Sequence, residues 1–260
     1  MIGTMWLLFR TAAGLIAGTL AITAPAFGDE IRVMSSGATA AAYLALVPEF
    51  QRATGHTLVT DAISTGVGAN AIATRVRRGD PVDVVILSRL ALDDLIKDGK
   101  VMADSRVDLA RSAIGLAVRA GAPTPDIRTV DALTRVLLQA KSIAYSAQVS
   151  GLYLSTELFP RLGIADQVKA KSMQVEREPV GNVVARGEAE IGFQQISELL
   201  AVRGIQYVGP LPAEVQRVTV FSAGLVSASR RPDAARALIR FLVSPAGIGA
   251  MKKSGLEPLP

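Results

Sequence analysis

The 260-residue chain has no cysteine and a single histidine, His56. The first absence removes disulfides, thiolate metal sites and cysteine nucleophiles; the second leaves zinc without its usual ligands. Aromatic residues make up 5% of the chain, too few for base-stacking platforms. The formal charge is +5, but the basic residues are scattered, apart from Arg75, Arg77 and Arg78, which fall in a helix body and read as a solvated face. Nucleic acid is therefore not an expected partner. Phosphate-loop, nucleophile-elbow and His-Glu-x-x-His motifs are all missing. His56 follows a helix end and precedes a strand, so serine–histidine catalysis finds no support. The sequence implies no metal and no cofactor.

Half of the residues are apolar and 20% are charged, which marks a globular chain long enough for one large or two modest domains. Residues 1–28 join Arg10 to an apolar stretch ending in small residues around Ala24, Ala26 and Gly28. This pattern reads as a secretory leader cleaved after Ala26 or Gly28, with an uncleaved anchor as the competing reading. The expected product is periplasmic, monomeric and without stable membrane insertion, since no other stretch is long and apolar enough to span a bilayer.

From Ile31 onward, strand-like and helix-like segments alternate. "IRVM" reads as a strand, residues 40–53 as a helix, 57–61 as a strand and 70–78 as a helix ended by Gly79. "VDVVIL" is an apolar run of the kind buried on both faces of a parallel sheet, and 90–98 a helix stopped by Gly99. After the strand "SAIGLAVRAG" a second alternation runs to the helix "PDAARALIRFLVSP". The pattern predicts an α/β protein, either two lobes or one doubly wound sheet.

In open parallel sheets, ligands sit beyond the carboxyl ends of strands, where loops feed helix N-termini whose amides attract anions. Five such loops are rich in hydrogen-bonding residues. The first offers Ser35, Ser36, Gly37 and Thr39, and the second Ser64, Thr65 and Gly66. The third offers Gln148 and Ser150; "EPVGN" supplies Val180, and "FQQIS" supplies Gln194 and Gln195. Each loop taken singly is explained by helix capping, whereas their recurrence points to a shared cleft for a small polar ligand. Arg89, directly after "VDVVILS", is positioned either to grip a carboxylate in a bidentate fork or to pair with Asp93 or Asp94.

The segments "IRVMSSGATAAAYLALVPEFQRATG", "STGVGANAIATRVRRGDPVDVVILS", "GLYLSTELFPRLGI" and "VVARGEAEIGFQQISELL" resemble the periplasmic molybdate-binding proteins of the type II periplasmic binding-protein fold, over residues 31–256. That resemblance implies two α/β lobes, 29–112 plus 220–260 and 113–219, joined by strands crossing near 113–119 and 219–226. It also implies an anion clamped between the lobes and an ABC-type permease as partner. A family serine falls on Ala38 and a family tyrosine near Gln195, departures that favour an organic di- or tricarboxylate over molybdate. Aconitate isomerase, an enzyme similar to the same family, is the alternative reading. Its base would come from Tyr145, Tyr153, Glu178 or Glu198, none of which the sequence singles out.

Overall fold

The computed structural model describes residues 28–64 and 68–259. The expected leader, Gly28 apart, lies outside the described residues, as do Thr65 and Gly66. Strands β1 (Glu30–Ser36), β2 (Thr57–Ser64), β3 (Val84–Ser88) and β4 (Val107–Ser112) open the chain. Strands β5 (Ile114–Arg119), β6 (Ile143–Ser146), β7 (Ser172–Val175), β8 (Ile191–Gln195) and β9 (Ile205–Pro210) follow in a different sheet, and β10 (Thr219–Leu225) and β11 (Glu257–Pro258) return to the first. The strand orders are β11-β4-β10-β3-β1-β2 and β7-β6-β8-β5-β9. The single doubly wound sheet is thereby excluded.

Parallel pairing of β1 with β2 and β3, and of β6 with β7 and β8, puts the carboxyl ends of these strands on one edge of each sheet. Strands β10 and β5 run antiparallel to their neighbours. Strands β5 and β10, expected to cross between lobes, each lie within one sheet. The chain changes sheets at Ala113 and again between Pro210 and Thr219. These short passages suffice because β4 already points its carboxyl end at the second sheet.

Helices cover both faces of the first sheet, and the sequence shows why. In β3, Val84 and Ile86 enter one core while Val85 and Leu87 enter the other, which is the alternation of a strand buried on two sides. The helix Gly37–Thr54 buries Ala38, Ala42, Tyr43, Leu46 and Phe50 along one stripe and ends at Gly55, whose φ of 74° suits glycine. Its Phe50 is fully buried, and truncation to alanine would cost about 3–5 kcal/mol. This helix begins three residues earlier than the sequence predicts, directly after Ser36, so strand and helix meet without a loop. In the second sheet, Ile114, Leu116, Ile143 and Phe193 pack under one set of helices, while on the other face Ala144 packs against Val180 and Val184 of the helix Val180–Ala185. Among the described residues no single helix is long and apolar enough to cross a membrane.

Candidate functional site

A cavity of about 180 Å³ lies between the two sheets, lined from both. The first sheet's side contributes Ser36, Ala38, Ile72, Leu87, Ser88 and Phe221; the second contributes Gln148, Ser150, Leu152, Gln195 and Glu198. Strands β1, β3, β6 and β8 are each followed by a helix whose first turn reaches the wall. The helices Gly37–Thr54 and Arg89–Lys97 start from Ser36 and Ser88, and neither serine caps its helix with its hydroxyl. Their first-turn amides have no intrahelical acceptor, and Ser36, Ala38, Ser88 and Ala91 at these two starts line the cavity. Opposite them, the helix Val149–Tyr153 starts from Gln148. It is pressed onto the end of β6 so closely that a Cβ on Gly151 would stand 1.6 Å from the Ser146 carbonyl oxygen. Only glycine permits that approach. The approach also brings Ser150, 1% exposed, within 3.0 Å of the Ser146 hydroxyl.

Among the described residues the lining carries one titratable side chain. Glu198, in the helix Ile196–Leu200, is 8% exposed. Burial raises its carboxyl to about 8, against a partly compensating hydrogen bond from Gln194, so it is largely protonated at neutral pH. The other end of the Gln194 amide accepts the Val180 N–H at 2.8 Å. A further bond crosses between the sheets, where Ser197 Oγ donates to the Ala38 carbonyl at 2.8 Å. The Gln195 amide sits between Ser112 Oγ at 3.1 Å and Thr219 Oγ1 at 3.0 Å, its nitrogen donating to the first and its oxygen accepting from the second. It thus ties both passages between the sheets to the cavity wall. Among the described residues no group of three or more His, Asp or Glu side chains gathers to hold a metal.

A family model for bacterial extracellular solute-binding proteins matches residues 31–257. The chain belongs to that family. One relative, named aconitate isomerase, from a Pseudomonas species, is 46% identical over 231 residues, 88% of each chain. The structure of the Azotobacter vinelandii periplasmic molybdate-binding protein superposes with a TM-score of 0.71 at 20% identity, covering 88% of this chain and 99% of that one. The sulfate-binding protein of Mycobacterium tuberculosis does so with a TM-score of 0.68 at 19% identity, covering 89% and 87%. These two likenesses show the two-lobe binding-protein fold.

Of the residues expected at the ligand, the cavity brings together Ser36, Gln148, Ser150 and Gln195. Ser35 and Thr39 are buried behind the wall, their hydroxyls 2.9 Å apart, with Thr39 donating to the Ser36 carbonyl. Gly37 starts its helix beside them, and Ser64 ends β2. Val180 and Gln194 also stand outside the lining, because each satisfies the other. Of the two readings for Arg89, the structure shows the ion pair and not the carboxylate fork at the ligand: its guanidinium turns to Asp93 at 3.9 Å and to Asp108 at 3.3 Å, and its side chain is 48% exposed. Three of the four candidate bases are also elsewhere. Glu178 pairs with Arg186, Tyr153 donates to the Val215 carbonyl, and Tyr145 stacks edge-on against Phe159. Glu198 alone remains. The sequence reading missed Ser88, although its place after "VDVVIL" marks it as a strand end. It also missed the apolar wall of Ile72, Leu87, Leu152 and Phe221, whose alternation is indistinguishable from core.

Proposed function

We propose that this chain captures a small organic polycarboxylate in the cavity between its two sheets and closes on it by hinge motion. The observation that carries this reading is the meeting of helix first turns from both sheets on one cavity whose walls are otherwise apolar. Unpaired amides there replace the water around carboxylate oxygens, while Ile72, Leu87, Leu152 and Phe221 accept a carbon skeleton. About 180 Å³ is room for several waters at roughly 30 Å³ each, more than one tetrahedral oxyanion displaces. The Val180 amide, held by Gln194, is no longer available to an oxyanion. The moving lobes are 29–112 plus 220–260 and 113–219, with Ser36, Ser88, Gln148, Ser150 and Gln195 at the ligand. As a monomeric periplasmic carrier the protein would deliver its ligand to an ABC-type permease.

A second reading has specific support, namely that the bound acid is isomerised. The relative named aconitate isomerase shares 46% identity over nearly the whole of both chains, and a buried carboxyl stands in the wall. Titration calorimetry with trans-aconitate, citrate, sulfate and molybdate tests the first reading: tight binding of an unsaturated tricarboxylate is expected, and a preference for molybdate over the organic acids refutes it. Proton NMR of trans-aconitate with the protein in heavy water tests the second, through appearance of the cis isomer.

A further inference from the structure

We propose that Glu198 is the acid–base group that moves the proton on the bound acid, and that Gln194 is its positioning residue. This assignment rests on the isomerase reading above. Shifting the double bond of an unsaturated tricarboxylic acid requires breaking a C–H bond at the saturated carbon, whose electron pair spreads through the C=C bond into the adjoining carboxylate. The proton passes to the Glu198 carboxylate. A new C–H bond then forms at the former vinylic carbon with a proton returned by the same carboxyl, so atoms and electrons balance within the acid and Glu198 ends as it began.

The geometry supplies each need of that step. Glu198 is the one titratable side chain in the lining among the described residues, so no other group competes for the proton. Its surroundings raise its affinity for protons toward the working range of a general base. The elements packed against its helix are the helices Gly37–Thr54 and Val180–Ala185 and strands β5, β8 and β9. They carry Tyr43, Glu49, Arg52, Arg119 and Tyr207, none of which perturbs Glu198; burial and Gln194 alone do. Gln194 has its carbonyl oxygen held by the Val180 N–H at 2.8 Å, which turns its amide nitrogen toward Glu198. The Ser197–Ala38 bond, at 2.8 Å, sets the Glu198 helix against the first turn of Gly37–Thr54. Under this assignment that turn, whose Ala38 lines the cavity, would offer its amides to the negative charge that develops on the acid.

The test compares wild type with Glu198→Gln, by calorimetry with trans-aconitate and by NMR of the same acid in heavy water. Wild type is expected to bind and to form the cis isomer with deuterium entering its carbon positions. Glu198→Gln should bind within about threefold of wild type while isomerisation falls by about 10²–10⁴. Isomerisation by Glu198→Gln at the wild-type rate overturns the assignment and leaves the enzyme reading standing. Binding by wild type without isomerisation overturns both, and no binding by wild type overturns the ligand reading beneath them. If glutamine is not tolerated at this site, the wild-type kcat/KM profile decides: a rise with a midpoint near pH 8 supports Glu198, and a flat profile overturns it. Gln194→Leu should move that midpoint upward, because the lost hydrogen bond favours the carboxylate. A purely structural residue would leave the midpoint in place.

Discussion

Replacing Glu198 by glutamine should change not only how stable the protein is but how its stability depends on pH. In the folded chain the Glu198 carboxyl titrates near 8, against 4.5 for an ordinary glutamate, and the cause is burial. Between these two values the unfolded chain has released the proton and the folded chain still holds it. The folded state therefore binds more protons, and its stability falls as pH rises. The contribution is fully present below pH 4.5, declines by about 1.4 kcal/mol per pH unit, and is exhausted above pH 8. The whole penalty is about 4–5 kcal/mol, a large share of the 5–15 kcal/mol that typically holds a domain together. Glutamine keeps the shape and cannot ionise. Urea unfolding of both proteins from pH 5 to pH 8.5 should show wild type losing about 3–4 kcal/mol relative to Glu198→Gln across that range. Parallel stability curves would refute the claim that Glu198 is buried as a neutral acid.

Three other consequences are open to measurement. Gly151→Ala should lower stability by at least about 2 kcal/mol and weaken ligand binding, because the new methyl would overlap the Ser146 carbonyl oxygen at 1.6 Å; an unchanged melting midpoint would contradict the close approach. Gln195→Leu should cost about 1–3 kcal/mol in denaturant midpoint by removing the amide's bonds to Ser112 and Thr219, and it should also change the binding-induced compaction seen by small-angle scattering. Arg89→Ala should leave polycarboxylate affinity within about twofold of wild type and cost under about 1 kcal/mol, since an exposed pair with Asp108 contributes little. A tenfold loss of affinity would return Arg89 to the ligand.

Much of the frame was legible along the chain because strands and helices announce themselves through neighbours in sequence. The doubly buried run before Arg89 and the glycines closing helices at Gly79 and Gly99 are in place, and four of the polar strand-end residues, Ser36, Gln148, Ser150 and Gln195, line the cavity. Arg89 shows where such reading stops. Its position after β3 is a sequence fact, but its direction depends also on Asp108 of β4, which lies across β10 from β3 in the sheet, and no local pattern encodes that partner. Val180 and Gln194 fail for the same reason: two residues placed singly at the ligand turn out to satisfy one another.

The sequence by itself determined the alternation of elements, the sheet edge on which the polar strand-end loops gather, and the exclusion of thiol and zinc chemistry. These follow from period, composition and chain direction, all of which are local. Only tertiary structure decided that Glu198, one of four equivalent candidates, is the carboxyl in the wall and holds its proton near neutrality. Desolvation is a property of everything that surrounds a group, and here the surroundings include the helix Gly37–Thr54, far from Glu198 in the chain and packed against its helix from the other sheet, together with strands β5, β8 and β9.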